Sequence, residues 1–450
     1  MISDTIAAIA TAPGQGGIGI IRMSGSDAER ILRRLFHPAG HAVDSFESHR
    51  LMYGHLVSGE KILDECMAVL MRAPRSYTRE DVAEIHVHGG GFILAEALKA
   101  CLSCGARLAA PGEFTRRAFM NGRIDLSQAE AVMGMISARS VLEHDAVLRQ
   151  LEGGVASFIR DASDRLYHLQ AGLAACVDYP EEISEEEGTS FLAEGLRNLC
   201  AHLRAAMDER GSRLIHDGFR VALIGRPNVG KSSLLNALLG EERAIVTQVP
   251  GTTRDLIEGE LILGGVRLVL TDTAGIRETE DPVERIGVQR TEQARRGADL
   301  TVLVLESSEP LSQEDEILLD SLPAGSVILI NKSDLPCQLD EDLLRKHCRG
   351  QSVFRVSARE KESLNAFRSW LTDQLPISDR LPLTQPRHLD AVSRAVDSLE
   401  AALATLEGGL PLDLATVDLQ AAQAALGEIT GDQVDEKLLD TVFANFCVGK

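Results

Sequence analysis

The stretch Gly225-Arg226-Pro227-Asn228-Val229-Gly230-Lys231-Ser232-Ser233 constrains this chain more than any other. It follows Phe219-Arg220-Val221-Ala222-Leu223-Ile224, which reads as a buried strand, and precedes the helix-like Ser233-Leu234-Leu235-Asn236-Ala237-Leu238-Leu239. Strand, G-x-x-x-x-G-K-S, then helix is the context in which backbone N–H groups and a positive helix end cradle phosphates. Lys231 then reaches the outer phosphates, and the Ser232 hydroxyl takes a place on Mg²⁺. A chance glycine-rich turn is the plain alternative, and three downstream stretches remove it.

The first is Asp272-Thr273-Ala274-Gly275, which closes the apolar strand Leu268-Val269-Leu270. A carboxylate there serves the Mg²⁺ shell, and the backbone after it senses a γ-phosphate. The second is Asn331-Lys332-Ser333-Asp334, after the strand Ser326–Ile330. The Asp334 carboxylate can accept from guanine N1–H and the 2-amino group, a pair that adenine lacks. The third is Ser357-Ala358-Arg359, where backbone amides meet a 6-oxo group. In this order, at strand ends, these motifs imply a guanine-nucleotide domain.

At 450 residues the expectation is two to four domains. A net charge of −21 argues against a broad basic face for duplex DNA or an anionic membrane. With 12 Phe, 4 Tyr and 1 Trp, an extended base-stacking groove is not expected. The eight Cys form no disulfide or zinc framework; Cys101 and Cys104 make one C-x-x-C inside a helix-like run and read as buried thiols. Met1-Ile2-Ser3-Asp4 carries no basic leader, and no apolar run reaches membrane-span length. The expectation is a cytoplasmic chain with no membrane partner.

Residues 1–118 read as a mixed α+β unit of ferredoxin-like kind. Strands are expected at Thr5–Ala10, Ile18–Met23, Leu51–Val57, Glu65–Met71 and Val82–His88, with helices at Ser26–Phe36 (Ser26 as N-cap) and Gly91–Cys104. His86 and His88 fall on one strand face, but no carboxylate–His series stands beside them to favour a metal. Gly89-Gly90-Gly91 reads as a close approach to a ligand or a helix. From Pro111 the pattern turns helical, at Gln128–Ala138, Leu142–Gly153, Ala156–Val177, Thr189–Glu209, Arg387–Leu406 and Val417–Leu426. The acidic run Glu181–Glu187 reads as a solvated inter-helix turn, and the tail Phe446-Cys447-Val448-Gly449-Lys450, by itself, as frayed. Helical pattern on both sides of the nucleotide unit makes that unit an insertion. The spans are 1–118, 119–213 (helical, first part), 214–380 (GTPase) and 381–450 (helical, second part, with the tail).

Hydrolysis needs a positioned water and neutralised charge between the β- and γ-phosphates. Ile276 stands where many GTPases carry a water-orienting Gln, so another group must serve; Glu284 is the candidate, with Glu278 and Glu280 as rivals. The loop Thr247-Gln248-Val249-Pro250-Gly251-Thr252-Thr253 is assigned to the nucleotide, with Thr253 closing the Mg²⁺ shell. The Asn228 carbonyl and backbone carbonyls of that loop are hard ligands that suit a monovalent cation; Arg254 and Arg277 are the rival source of positive charge.

The whole chain resembles the MnmE (TrmE) family of tRNA-modification GTPases. Beyond the GTPase motifs and Gly251-Thr252-Thr253-Arg254-Asp255, the resemblance rests on Asp4-Thr5-Ile6-Ala7-Ala8-Ile9-Ala10-Thr11, Gly89-Gly90 and Pro111-Gly112-Glu113-Phe114-Thr115 with Arg117-Ala118-Phe119. It rests also on Asp125-Leu126-Ser127-Gln128-Ala129-Glu130-Ala131 and the terminal Phe446-Cys447-Val448-Gly449-Lys450. It implies a dimerising, folate-binding N-terminal α+β domain, a helical domain and an inserted Ras-like P-loop GTPase domain activated by potassium-dependent dimerisation. It implies a homodimer that joins the flavoprotein MnmG (GidA) in a heterotetramer and acts on tRNA. That pair adds an aminomethyl or carboxymethylaminomethyl group to the 5-carbon of the wobble uridine, with a tetrahydrofolate derivative (5-formyl or 5,10-methylene form) as one-carbon donor.

Carried over residue by residue, the resemblance puts folate contacts on Arg22, Glu84, Arg123 and Lys450. Arg123 replaces the Lys common there. It puts potassium on Asn228, Thr247, Val249 and Thr252, Mg²⁺ on Ser232 and Thr253, and the water-positioning role on Glu284. It also gives the terminal Lys a reason to be ordered. The alternative from another class is a regulatory GTPase switch that binds RNA or the ribosome without modifying anything. Such switches append a basic module after the GTPase unit, and here that segment is helical with no basic cluster. A third reading is a scaffold that positions the flavoprotein.

Overall fold

The computed structural model describes residues 4–40, 46–179, 181, 185–240, 257–272, 297–375, 383–444 and 446–450. They form two compact units: residues 1–136, 148–204 and 390–450 in one, and 137–147 with 205–389 in the other.

The first unit opens with β1 (Ile6–Ile9), β2 (Gly19–Ser24), α1 (Ala28–Leu35), β3 (Phe36–Pro38), β4 (Met52–Ser58), β5 (Lys61–Met71), β6 (Val82–Val87), α2 (Gly91–Ser103) and β7 (Arg107–Leu108). They build one sheet in the order β3-β4-β5-β6-β2-β1-β7. The stretch β5-β6-β2 is a split βαβ, as the ferredoxin-like expectation requires. The hairpin strand β1 then intercalates between β2 and β7, so the last pairing is parallel, not antiparallel. Ile21, Met23, Ile85 and Leu70 face α1 and α2 and bury completely, which fixes the register Arg22↔Glu84 on the opposite face.

Two local expectations are corrected. Helix α1 starts two residues later than foreseen, with Asp27, not Ser26, as N-cap. The Asp27 N–H donates to Thr5 Oγ1 and its carboxylate pairs with Arg30, so tertiary contacts set the helix start. At Gly89 the close neighbour is not a helix but loop backbone: a Cβ there would lie 2.3 Å from Gly16 O in the loop after β1.

The helical part follows as α3 (Glu113–Met120), α4 (Leu126–Ser137), α5 (Val141–Leu151), α6 (Gly154–Asp178) and α7 (Glu185–Ala206). The acidic run is thus partly helical. Gly195 of α7 packs where a Cβ would meet Leu169 of α6 at 2.4 Å. Cys101 is buried and its thiol is pushed up to about 12 by desolvation, whereas Cys104 is only half-buried.

The second unit contains α8 (Glu209–Asp217), β8 (Phe219–Ile224), α9 (Lys231–Leu239), β9 (Ile257–Leu263), β10 (Val266–Asp272), β11 (Leu300–Glu306), α10 (Gln313–Asp320), β12 (Val327–Asn331), α11 (Glu341–His347), β13 (Ser352–Arg355) and α12 (Asn365–Gln374). Its sheet runs β13-β12-β11-β8-β10-β9, parallel except for the β9–β10 hairpin. Alternate residues of β11 and β12 enter opposite cores: Val302, Val304, Val327 and Leu329 on one face, Leu303, Leu305, Ile328 and Ile330 on the other. Two-sided burial is why these strands read as unbroken apolar runs. The segments that flank the unit pair with each other, through a Met207↔Leu383 bridge and Ser212 Oγ donating to Thr384 O. Leu142 N–H donates to Gly265 O in the β9–β10 turn, which ties residues 137–147 to the same unit.

The chain ends in α13 (Pro386–Glu407), α14 (Leu412–Thr430) and α15 (Glu436–Ala444). The tail after α15 is not frayed. Phe446 buries against Phe443 with ring centroids 5.2 Å apart, and Gly449 is buried against β1. Among the described residues no helix is long and apolar enough to cross a membrane.

The first unit is held by one buried cation. Arg117, 2% exposed, pairs with Asp4 at 2.8 Å, Glu113 at 3.0 Å and Glu80 at 3.1 Å. Burial alone would raise the Glu113 carboxyl; hydrogen bonds from Arg107, the Ala110 N–H and Arg117 outweigh it and hold it below the usual range. Removing the guanidinium takes the cation from the largely buried Glu80 and leaves Glu113 and Asp4 to Arg107 alone, so Arg117→Met is expected to destabilise by roughly 3 kcal/mol in denaturant titrations. Because the native carboxyl is depressed, its contribution is full above the unfolded value of about 4 and is lost as pH falls through the native value. The destabilisation by Arg117→Met should therefore shrink as the pH drops below that range.

Candidate nucleotide site

Five strands of the second unit deliver the motif residues to one edge. The phosphate loop follows β8, Glu306 ends β11, Asn331 ends β12, Asp272 ends β10, and Ser357 follows β13. The chain leaves β8 toward β10 on one side, and β11 lies on the other. The carboxyl ends of strands at such a switch point form the ligand crevice of open α/β sheets.

Lys231 is nearly inaccessible, and its ammonium donates to Gly225 O and Arg226 O at 2.7 Å each. It begins α9, so the helix's first N–H groups and the Lys charge face the same loop. Asn228 sits exposed at the crest with φ 64°, a left-handed conformation that Asn tolerates. Ser232 and Ser233 occupy the exposed first turn of α9. Asn331, 1% exposed, donates from Nδ2 to Val229 O at 2.8 Å and accepts at Oδ1 from Ala358 N–H at 3.3 Å. Gly230 makes room for it: φ is 95°, and a Cβ would lie 2.3 Å from Asn331 Nδ2.

The base-recognition residues also converge. Ser357 Oγ donates to Asp334 Oδ1 at 2.7 Å, Arg359 lies 3.8 Å from Oδ2, and Ser333 N–H donates to Val356 O. The Ser357 hydroxyl lowers the Asp334 carboxyl below its ordinary value. It therefore stays an acceptor, as guanine's two N–H donors need. Lys332 is held by Glu306 at 2.7 Å. Thr247, Gln248, Val249, Pro250, Gly251, Thr252, Thr253, Thr273, Ala274, Gly275 and Glu284, with the Asp272 side chain, lie outside the described residues.

A second constellation lies in the first unit. Arg22 Nε donates to Glu84 Oε1 at 2.8 Å, and an Arg22 terminal nitrogen donates to Gly449 O at 3.3 Å. The Arg22 guanidinium lies 5.7 Å from the Tyr77 ring centre and 5.9 Å from that of Phe114; the Arg123 guanidinium lies 4.7 Å from Tyr77. Burial would raise the Glu84 carboxyl, but the His86 hydrogen bond and Arg22's charge outweigh it and keep it lowered. Lys450 follows Gly449, where a Cβ would lie 2.3 Å from Ile9 O. Arg22, Glu84, Arg123 and the residue before Lys450 are thus joined by direct contacts or by the shared Tyr77 ring. Sequence reasoning missed Tyr77, which no spacing signal marks, and weighed His86 only as a metal candidate, whereas its imidazole pairs with Glu84. His86 and His88 have separate carboxylate partners, Glu84 and Asp64, and the described residues hold no group of three metal-ligating side chains.

The fold and this crevice define a P-loop GTP hydrolase that carries an N-terminal α+β domain and a helical domain. Residues 5–123 match the family described as GTP-binding protein TrmE N-terminus, and residues 126–447 match the MnmE helical domain. The chain belongs to the MnmE (TrmE) family of tRNA modification GTPases. It is 46% identical to the tRNA modification GTPase MnmE of Heliobacterium modesticaldum and 42% identical to that of Clostridioides difficile, each over 100% of both chains. It is 43% identical to that of Geobacillus kaustophilus over 99% of both.

Gly230→Ala would force a strained φ and push a methyl into Asn331. Isothermal titration with GDP should show affinity lowered at least about a hundredfold, beyond the loss of one hydrogen bond, because two loops separate together.

Proposed function

We propose that this protein hydrolyses GTP to drive modification of the wobble uridine of certain tRNAs at its 5-carbon, as a cytoplasmic homodimer acting with the flavoprotein MnmG. The observation that carries the reading is the Arg22–Glu84 pair beside Tyr77, Arg123 and the carboxy-terminal tail anchored through Phe446 and Gly449. A plain GTP switch has no use for a second built polar site. Its donor set fits a tetrahydrofolate derivative: a lowered carboxylate to accept N–H groups, cations for a glutamate tail, and an aromatic ring flanked by guanidinium groups. Bound there, such a group supplies a one-carbon unit, and Arg22, Glu84, Arg123 and Lys450 hold and orient it. The same reading assigns 1–118 to dimerisation and folate, 119–213 with 381–450 to the helical domain, and 214–380 to the GTPase.

In the nucleotide site, Ser232 and Thr253 would hold Mg²⁺, which neutralises phosphate charge. Asn228, Thr247, Val249 and Thr252 would hold K⁺ where other GTPases use an arginine. Asn228's exposure within the phosphate loop, at a left-handed φ of 64°, supports its part. Glu284 would orient the attacking water.

Two measurements test this reading. GTP turnover should be faster in K⁺ than in Na⁺ and should rise with protein concentration; Asn228→Ala should remove the K⁺ advantage while leaving GTP affinity within about threefold, since it lifts charge stabilisation rather than phosphate binding. Equal rates in both salts at every concentration would sink the cation assignment. Separately, Glu84→Gln should weaken 5-formyltetrahydrofolate binding about tenfold in a fluorescence titration, the size of one charge-assisted hydrogen bond. Unchanged binding would remove the folate assignment and leave the regulatory switch.

A further inference from the structure

Two basic residues of the nucleotide site direct their charges at one acidic segment that no GTPase motif covers. Arg226, inside the phosphate loop, places Nε 2.8 Å from Asp315 Oδ2 and a terminal nitrogen 3.4 Å from Glu309. Lys332, in the base-recognition loop, places Nζ 2.7 Å from Glu306 Oε2. The three acids lie between the end of β11 and the first turn of α10. The segment is fixed from behind: Ser307 N–H donates to Asn331 O at 2.9 Å and Gln338 N–H donates to Ser307 O at 2.9 Å. Ser308 Oγ holds the other oxygen of Glu306 at 2.5 Å.

Asp315 has an ordinary job as the third residue of a capping box with Ser312. A cap residue is normally solvated, yet the Asp315 side chain is 3% exposed. A buried carboxylate needs a cation, and Arg226 is the one it has. On the other partner the consequence is positional. The Lys231 ammonium rests on the carbonyls of Gly225 and Arg226, so the place of the Arg226 backbone sets the place of the Lys charge. The Lys332 end is comparable. Its φ of 60° is left-handed, unfavourable for a residue with a Cβ, and the ion pair to Glu306 helps to hold it there, two residues before Asp334.

We propose that Glu306–Asp315 is a positioning strap for the nucleotide: Asp315, acting through Arg226, sets the hold on the phosphates, and Glu306, acting through Lys332, sets discrimination for guanine. The strap residues serve the GTP site alone, so the proposal stands whether or not the tRNA and folate readings hold.

The test uses the full-length protein and fluorescent GDP and IDP, which differ by the 2-amino group that Asp334 would read. Arg226→Gln and Asp315→Asn should each weaken GDP binding about tenfold, the double variant no further, and the GDP-to-IDP ratio should stay constant. Arg226→Lys, which keeps the charge but not the planar fork that reaches both Asp315 and Glu309, should bind GDP more tightly than Arg226→Gln and more weakly than the unsubstituted protein. Glu306→Gln should instead lower the GDP-to-IDP ratio about fivefold, by misplacing one acceptor. GDP affinity unchanged in Arg226→Gln, or additive losses in the double variant, would overturn the phosphate half. An unchanged ratio in Glu306→Gln would overturn the base half. Arg226→Gln leaves the capping box intact, so the phosphate arm remains readable if Asp315→Asn fails to fold.

Discussion

The Asn331 side chain spends each end of its amide on a different loop, and the nucleotide crevice depends on that division. Its Nδ2 holds the phosphate loop at Val229 O, its Oδ1 holds the Ala358 N–H, and its backbone lies at the end of β12. Three loops that the chain keeps far apart thereby share one buried polar group. In a dry environment an unmade amide bond is costly, so the loops are expected to keep one mutual arrangement. Gly230 is required by the same group, since only a residue without a Cβ lets Asn331 reach the loop. The acidic segment after β11 extends the scheme outward, with Arg226 tied to Asp315 and Lys332 tied to Glu306.

The first unit solves a comparable problem with a full charge. Arg117 links the start of the chain through Asp4, the segment before β6 through Glu80, and α3 through Glu113. A guanidinium can do this because its donors radiate in a fixed plane. Next to that network the carboxy-terminal tail comes back to β1, so the last residues of the chain lie beside Arg22 and Glu84, which stand on its early strands. Both units therefore build their polar sites from residues distant in sequence, held by groups that are themselves buried.

Much of the fold was legible. The parallel strands of the GTPase unit announced themselves as unbroken apolar runs, because both faces are covered, and the long helices showed their three- and four-residue spacing. What escaped was short or set by contacts made elsewhere. Strands β3 and β7 are three and two residues long and carry no period. Helix α1 begins where Thr5 and Arg30 engage Asp27. The tail reads as frayed until Phe446 and Gly449 are seen to be buried. The intercalation of β1, which makes the sheet more than a split βαβ, follows from pairing that no local pattern encodes.

By itself the sequence determined the chemistry available: the phosphate loop, the Asp334 carboxylate after β12, and the residues Arg22, Glu84, Arg123 and Lys450 that resemblance picked out. Those signals survive in one dimension because each is a residue type at a fixed place next to a strand or helix. Only the tertiary structure decided what holds them: Asn331 between two loops, Asp315 under Arg226, Glu306 on Lys332, Tyr77 beside two guanidinium groups, and Arg117 among three carboxylates. These partners lie from a few to more than a hundred residues apart. Their pairing is set by the burial that brings them together, so no spacing rule records it.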